Sequence, residues 1–222
     1  YALLSFSREK TGIITRFCEK TSGPFMLTPF LLSLLCRSYA LLLDELPVPG
    51  NILIPMSVDL RGRAGIARDA VFFNQWSLQP LLIPRELCVN PEAVFAELKG
   101  QIFENMSEQL PQAFRAASRL GRIAPFPFLM SLVNKTKRTG CGTFMYSFLS
   151  ESSLKSSEFC GHRILNLYHI PSMPPVTGAG VFMNSFGGAL NVTLSYREDS
   201  LTPNAVRRFI SSFVSALPKE AQ

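Results

Sequence analysis

Asp59 and Arg61 close the apolar run that starts at Ile52. Two apart at a strand end, both side chains project to the same side, where they can pair with each other or with a neighbouring domain. Asn74 lies inside Phe72-Phe73-Asn74-Gln75-Trp76, a polar amide in an aromatic run that points to a partly buried group holding a backbone or a ligand. His162 and His169 are seven apart on a strand-like run, and an odd spacing sends them to opposite faces. Each reads as a structural histidine rather than as half of a cooperating pair. The five cysteines (Cys18, Cys36, Cys88, Cys141, Cys160) form no CxxC or CxxxC pair, so no metal site is expected. Gly178 to Gly188 contains four glycines but neither GxGxxG nor a phosphate-cradling GxxxxGK[ST] pattern, and we read them as turns. Neither Ser185 nor Ser195 sits in a GxSxG elbow.

Charge is distributed unevenly. The net charge is +6, and the stretch from Gln109 to Ser150 has no acidic residue but carries Arg115, Arg119, Arg122, Lys135, Lys137 and Arg138. Arg115, Arg119 and Arg122 follow i, i+4, i+7 spacing, one helical face, which suits the phosphates of a coenzyme, an acidic carrier protein or an anionic membrane surface, or is simply solvated. The overall excess is too small for a dedicated nucleic-acid binder. Between the basic clusters lies Ile123-Ala124-Pro125-Phe126-Pro127-Phe128-Leu129-Met130. Its two prolines argue against a regular helix throughout, and we read it as a core-packing loop, with a greasy lip over an acyl tunnel or a membrane edge as the alternative.

The elements that must position these residues are legible from pattern. Ser7 caps a helix that ends near Lys20, and Thr28-Pro29 opens a second one, so apolar on every side that it must be a covered core helix. The greasy stretch from Phe25 to Leu46 carries Arg37 at its centre and falls short of the roughly 20 apolar residues of a membrane span. Ile52 to Leu60 and Ala70 to Ile83 read as extended. Asn90-Pro91-Glu92 starts a helix that runs to Leu110, and another begins at Pro111. Phe144 to Leu149, Ile164 to Ile170, Gly180 to Phe186 and Ala189 to Tyr196 are β-rich, and Thr202-Pro203 opens a last helix. Helices are grouped rather than alternating with strands, which predicts an α/β chain: a two-layer sandwich, a mixed sheet with helices on one face. With 222 residues, 47% of them hydrophobic, residues 1–222 are expected to form a single domain, and scattered cysteines suit a reduced, cytoplasmic compartment.

Ile54-Pro55-Met56-Ser57-Val58-Asp59-Leu60-Arg61, the Asn74 that follows, and Gly188-Ala189-Leu190-Asn191-Val192-Thr193-Leu194-Ser195-Tyr196 together resemble the C-terminal half of the chloramphenicol acetyltransferase-like superfamily. That superfamily includes condensation domains, wax ester synthase/diacylglycerol acyltransferases and alcohol acetyltransferases. The resemblance runs from about Ser7 to Leu217 and implies a subdomain that pairs with an N-terminal one, acyl donor and acceptor meeting in a tunnel between them. The family's HHxxxD motif, whose second histidine is the general base, does not occur here, so no catalytic residue is carried over and the motif is expected upstream of Tyr1.

What the resemblance implies for this chain is supporting material. Asp59 and Arg61 match the strand-end polar motif, and Asn74 the asparagine near the tunnel. Ser147 stands where the family has a Ser-Asn stretch, with Phe148 in place of the asparagine, and Phe186-Gly187-Gly188 matches part of an Asp-Phe-Gly-Trp-Gly loop. Arg115, Arg119 and Arg122 become candidate contacts for donor phosphates or a carrier domain. No tightly bound cofactor is implied; the donor is an acyl-CoA or acyl-carrier thioester, the acceptor an alcohol or amine, and the remaining partner the N-terminal subdomain. The isolated chain is expected to be inactive and the full-length protein an acyltransferase. A non-catalytic binding or scaffolding module of the same fold is the alternative.

Overall fold

A computed structural model describes residues 1–43, 50–62, 75–121, 123–139, 143–151, 158–172 and 178–222. In chain order the elements are β1 (Ala2–Phe6), α1 (Arg8–Ser22), α2 (Leu27–Leu43), β2 (Ile52–Asp59), β3 (Trp76–Ile83), α3 (Pro91–Ser107), α4 (Leu110–Leu120), α5 (Phe126–Thr139), β4 (Met145–Glu151), the two-residue strands β5 (Glu158–Phe159) and β6 (His162–Arg163), β7 (Ala179–Phe186), β8 (Ala189–Tyr196) and α6 (Pro203–Ser215). The main sheet has six strands in the order β1-β8-β7-β4-β2-β3. β2, β4 and β7 run parallel, while β3 and β8 are antiparallel to their neighbours, so the sheet is mixed as expected.

The helix starts are set locally. Ser7 Oγ accepts from the Lys10 amide at 3.3 Å, Asn90 Oδ1 from the Glu92 and Ala93 amides at 3.0 and 3.3 Å, and Thr202 Oγ1 from the Ala205 amide at 3.2 Å. Each cap satisfies donors that the first helical turn leaves without partners. α2 is buried along almost its whole length, Leu31, Leu32, Leu35 and Cys36 being fully inaccessible. Each buried leucine contributes about 2 kcal/mol, so this helix is the centre of the helical layer. Against it the sheet turns Ile52, Ile54, Met56, Leu81, Ile83, Tyr146, Val181, Met183, Leu190, Val192 and Leu194, positions in phase with period two. Tyr39 joins the layers, stacked on Phe144 at 5.0 Å and edge-on to Phe209 at 5.9 Å.

Both sheet edges are managed. On β3, the Gln101 side-chain amide donates to the Leu82 carbonyl at 2.7 Å and accepts from the Leu82 N–H at 2.8 Å, taking the place of a further strand, and Asn105 Nδ2 donates to the Pro80 carbonyl at 3.1 Å. α3 therefore closes an edge that would otherwise pair with another chain. The far edge is the short β1, paired with β8 from Ala2–Leu194 to Phe6–Leu190. β1 lay outside the sequence expectation, because five residues at a terminus carry no periodicity longer than chance.

Two expectations are corrected. Residues 123–130 are not a core-packing loop: α5 begins at Phe126, and Ile123, Phe126 and Phe128 are 81, 72 and 63% exposed. Pro125 precedes the helix and Pro127 falls in its first turn, where a missing N–H has no intrahelical partner to lose. Residues 164–170 are extended but make no strand ladder. Instead segment 164–172 crosses the face of the sheet opposite the helices, held by side chains. Asn191, fully buried, accepts from Ser5 Oγ at 2.8 Å and Asn166 Nδ2 at 2.9 Å, and donates to Asn166 Oδ1 at 2.8 Å and the Leu167 carbonyl at 2.9 Å. Asn184 donates to the Leu167 carbonyl at 2.8 Å and accepts from the His169 N–H at 3.1 Å.

His169, on this strap, sits edge-on to Phe182 with ring centroids 5.8 Å apart, and burial holds its imidazole pKa below the ordinary value. The folded state thus favours the neutral ring, and the unfolded chain takes up the proton first. Stability from this group is full above the ordinary imidazole value of about 6.5 and is lost as pH falls through it towards the lower folded value. Denaturant unfolding of wild type and His169→Phe at about pH 7.5 and about pH 5 should show a smaller acid loss in the variant; equal losses would rule the linkage out.

Candidate functional site

Because β2, β4 and β7 are parallel, their carboxyl ends emerge at one edge of the sheet, the place where open α/β sheets bind ligands. Asp59 and Arg61 lie there, at the end of β2. The Asp59 carboxylate takes the Arg61 guanidinium in a fork, Nε donating to Oδ1 at 3.0 Å and the terminal nitrogen to Oδ2 at 2.7 Å, and Oδ1 also accepts from the Arg61 backbone N–H at 2.9 Å. The two sequence candidates pair with each other. Both are exposed, so the pair adds little stability and serves to fix the orientation of two charges.

Phe186 and Gly187 reach the same edge at the β7–β8 hairpin. Gly187 and Gly188 take φ of 59° and 80°, left-handed backbone that glycine adopts without strain, which turns the Gly187 amide onto the Glu151 carboxylate at 2.7 Å. Arg8 packs against the Gly188 backbone, so the start of α1 joins this edge as well. Arg115 of α4 donates to Gln75 Oε1 at 3.1 Å, immediately before β3, which brings α4 to the same end. Arg119 is exposed one turn on. Ser147 does not join them: it is buried mid-strand in β4 and, alternating with Tyr146 and Phe148, faces the strap side. Asn74 and Arg122 lie outside the described residues, as do the side chains of Lys135, Lys137 and Arg138.

Behind the Asp59 edge, on the helical side, a groove of about 1000 Å³ opens between β2, β3, β4, α3 and the start of α2. Met56, Val58, Phe95, Ile102, Met106 and Phe148 line it, with Asp59 and Lys99 as its charged residues. Its rim carries Phe103, 76% exposed, and Phe25, 96% exposed and held at φ 63°, a backbone region that costs a side-chain-bearing residue about 1 kcal/mol or more. At its floor are Tyr146 and Gln79. Burial pushes the Tyr146 phenol well above its ordinary pKa, so it is a fixed donor, directed at Met183 Sδ at 3.8 Å. Sequence reading missed Gln79, although a glutamine in phase with Leu81 and Ile83 on the inward face of β3 is itself a signal.

Asp59 is engaged by Arg61, Tyr146 stays protonated, and neither histidine reaches the groove: His169 stands on the opposite face and His162 is exposed in the β5–β6 hairpin. Among the described residues that line the groove there is no histidine.

No protein-family profile matches the chain, and no curated protein matches it in sequence. Solved structures do match. The chain is 18% identical to a trichothecene 15-O-acetyltransferase (TRI3) from Fusarium sporotrichioides, with a TM-score of 0.64, covering 96% of this chain and 45% of that one. For the first condensation domain of the CDA synthetase the values are 14% identity, a TM-score of 0.60, and 99 and 44% coverage. For a wax ester synthase/diacylglycerol acyltransferase from Marinobacter aquaeolei VT8 they are 10%, 0.56, and 96 and 46%. The chain spans less than half the length of each of these structures. Its mixed six-stranded sheet with a helical layer is thus the fold that condensation domains and chloramphenicol acetyltransferase-like acyltransferases show over part of their length.

Proposed function

We propose that this chain is the substrate-shaping C-terminal half of an acyltransferase. In this reading an acyl group moves from a thioester, carried by coenzyme A or by a carrier protein, to an alcohol or amine. The general base is the second histidine of an HHxxxD motif on an N-terminal subdomain that packs against the edge formed by Asp59, Arg61, Phe186 and Gly187. The observation that carries the reading is the convergence of these residues, distant in sequence, on the carboxyl ends of β2, β4 and β7 beside a largely apolar groove. Division of labour fits the chemistry: acyl transfer needs one base and a dry channel, and this half supplies walls and fixed charges without a titrating group of its own. Arg115 and Arg119, brought to the same edge by α4, with Arg122, are proposed to receive the phosphates of the donor.

The test uses the full-length protein and a free-thiol assay with an acyl-CoA donor and a panel of alcohols and amines. Replacing the second histidine of the upstream motif with alanine should lower turnover by about a thousandfold. A full-length sequence without the motif, or a variant that turns over undiminished, refutes the reading.

A further inference from the structure

The groove holds an amide that the described residues do not satisfy. Gln79 is 1% exposed and borders the groove; its Nε2 has a thioether, Met56 Sδ at 4.0 Å, and its Oε1 has no partner among the described residues. The donor beside it is committed elsewhere, the Tyr146 hydroxyl pointing at Met183. Every other inward position at this height, Met56, Leu81 and Tyr146 among them, is filled by a side chain that packs. An unpaired buried carbonyl is worse than either a pair or an apolar replacement, so a donor arriving from the groove would relieve a cost that the fold carries here. The surrounding walls define the rest of the ligand: Met56, Val58, Phe95, Ile102 and Phe148 make them largely apolar, with Thr28, Ser57 and Asp59 as further polar lining, and exposed Phe25 and Phe103 extend the apolar surface. Lys99, also lining the groove, is exposed and leaves a charged end in water.

We infer that the groove binds a largely apolar chain bearing a hydrogen-bond donor, a hydroxylated acyl or alkyl chain, with the donor delivered to the Gln79 carbonyl and the charged end outside. The inference rests on the acyltransferase reading only for the role of that chain in turnover. Binding is measured without turnover, so the failure of one is distinguishable from the failure of the other.

Calorimetric titration of the full-length protein with dodecanoic acid and a set of mono-hydroxylated dodecanoic acids tests it. At least one hydroxylated chain should bind about tenfold tighter than the parent acid, the discrimination of one buried hydrogen bond. In Gln79→Leu that preference should vanish while the parent acid binds at least as well. Gly100→Trp should abolish binding of both, because Gly100 lines the groove from α3. Gly100 is exposed and a Cβ there meets nothing within 4 Å, so this variant starts from open space rather than from the core and keeps the test valid if Gln79→Leu does not fold. Equal binding of parent and hydroxylated chains by wild type, an unchanged preference in Gln79→Leu, or undiminished binding by Gly100→Trp overturns the inference.

Discussion

Asn191→Leu is expected to lower the unfolding free energy by about 3 kcal/mol and to release residues 164–172 to solvent. Asn191 is fully buried and its amide is saturated, the oxygen accepting from Ser5 and Asn166 and the nitrogen donating to Asn166 and to the Leu167 carbonyl. Leucine has the same branched shape and is larger, so no cavity is left. What is lost is the partner of groups that remain in place: each buried polar atom left alone costs about 1–3 kcal/mol, reduced where water can enter. Ser5 and Asn166 can relax towards solvent, and the Leu167 carbonyl keeps its bond from Asn184, which holds the total near 3 rather than higher. Guanidinium unfolding reads the free energy, and hydrogen exchange of the His169 amide, which donates to Asn184, reads the strap. A loss below about 0.5 kcal/mol with unchanged exchange would show that the strap is held by something other than this asparagine cluster.

Tyr146→Ala is expected to cost about 3–5 kcal/mol, against less than about 1 kcal/mol for Tyr146→Phe. Tyr146 stands first in size among the fully buried side chains and joins the groove floor to the core, opposite Met56 across the β2–β4 junction. Truncation removes the transfer free energy of a whole ring and leaves a void whose walls, β2, β4 and β7, are tied by backbone bonds and cannot collapse. The hydroxyl contributes little, because its acceptor is a sulfur 3.8 Å away and burial already keeps it protonated. The pair of variants separates ring from hydroxyl. Equal effects in thermal unfolding would mean that the hydroxyl, not the packing, carries the position.

Neither the asparagine cluster nor the groove is visible along the chain, whereas several local features are. Ser7, Asn90 and Thr202 announce helix starts because a cap and the amides it satisfies lie within three residues. α2 declares itself a core helix because its apolar residues leave no polar stripe, and the spacing of Asp59 and Arg61 leaves their charges on one side, free to pair with each other or with a neighbouring domain, of which the structure shows the first. The grouping of helices and strands is enough to set the fold class, since an apolar helix and half-apolar strands must bury against one another. Most of the order of the elements, with β1, α5 and residues 164–170 as the exceptions, and the resemblance it carries are therefore legible in the sequence alone.

What the tertiary structure decided depends on residues far apart. β1 becomes a strand only because β8, nearly the whole chain away, offers it an edge. The two prolines near 125 argued for a loop, yet they occupy the positions where a helix loses nothing by them, and none of the described residues covers Phe126 or Phe128. Asn184 and Asn191, polar residues inside otherwise apolar strands, look like interruptions until Asn166 and Leu167 arrive from another segment to meet them. Gln79 is the reverse case: none of the described residues arrives. Local pattern determines which backbone forms and which face is apolar, because those depend on neighbours within a few residues. Which buried polar groups find partners, and which one is left facing a groove, depends on long-range register, and only the assembled sheet sets that.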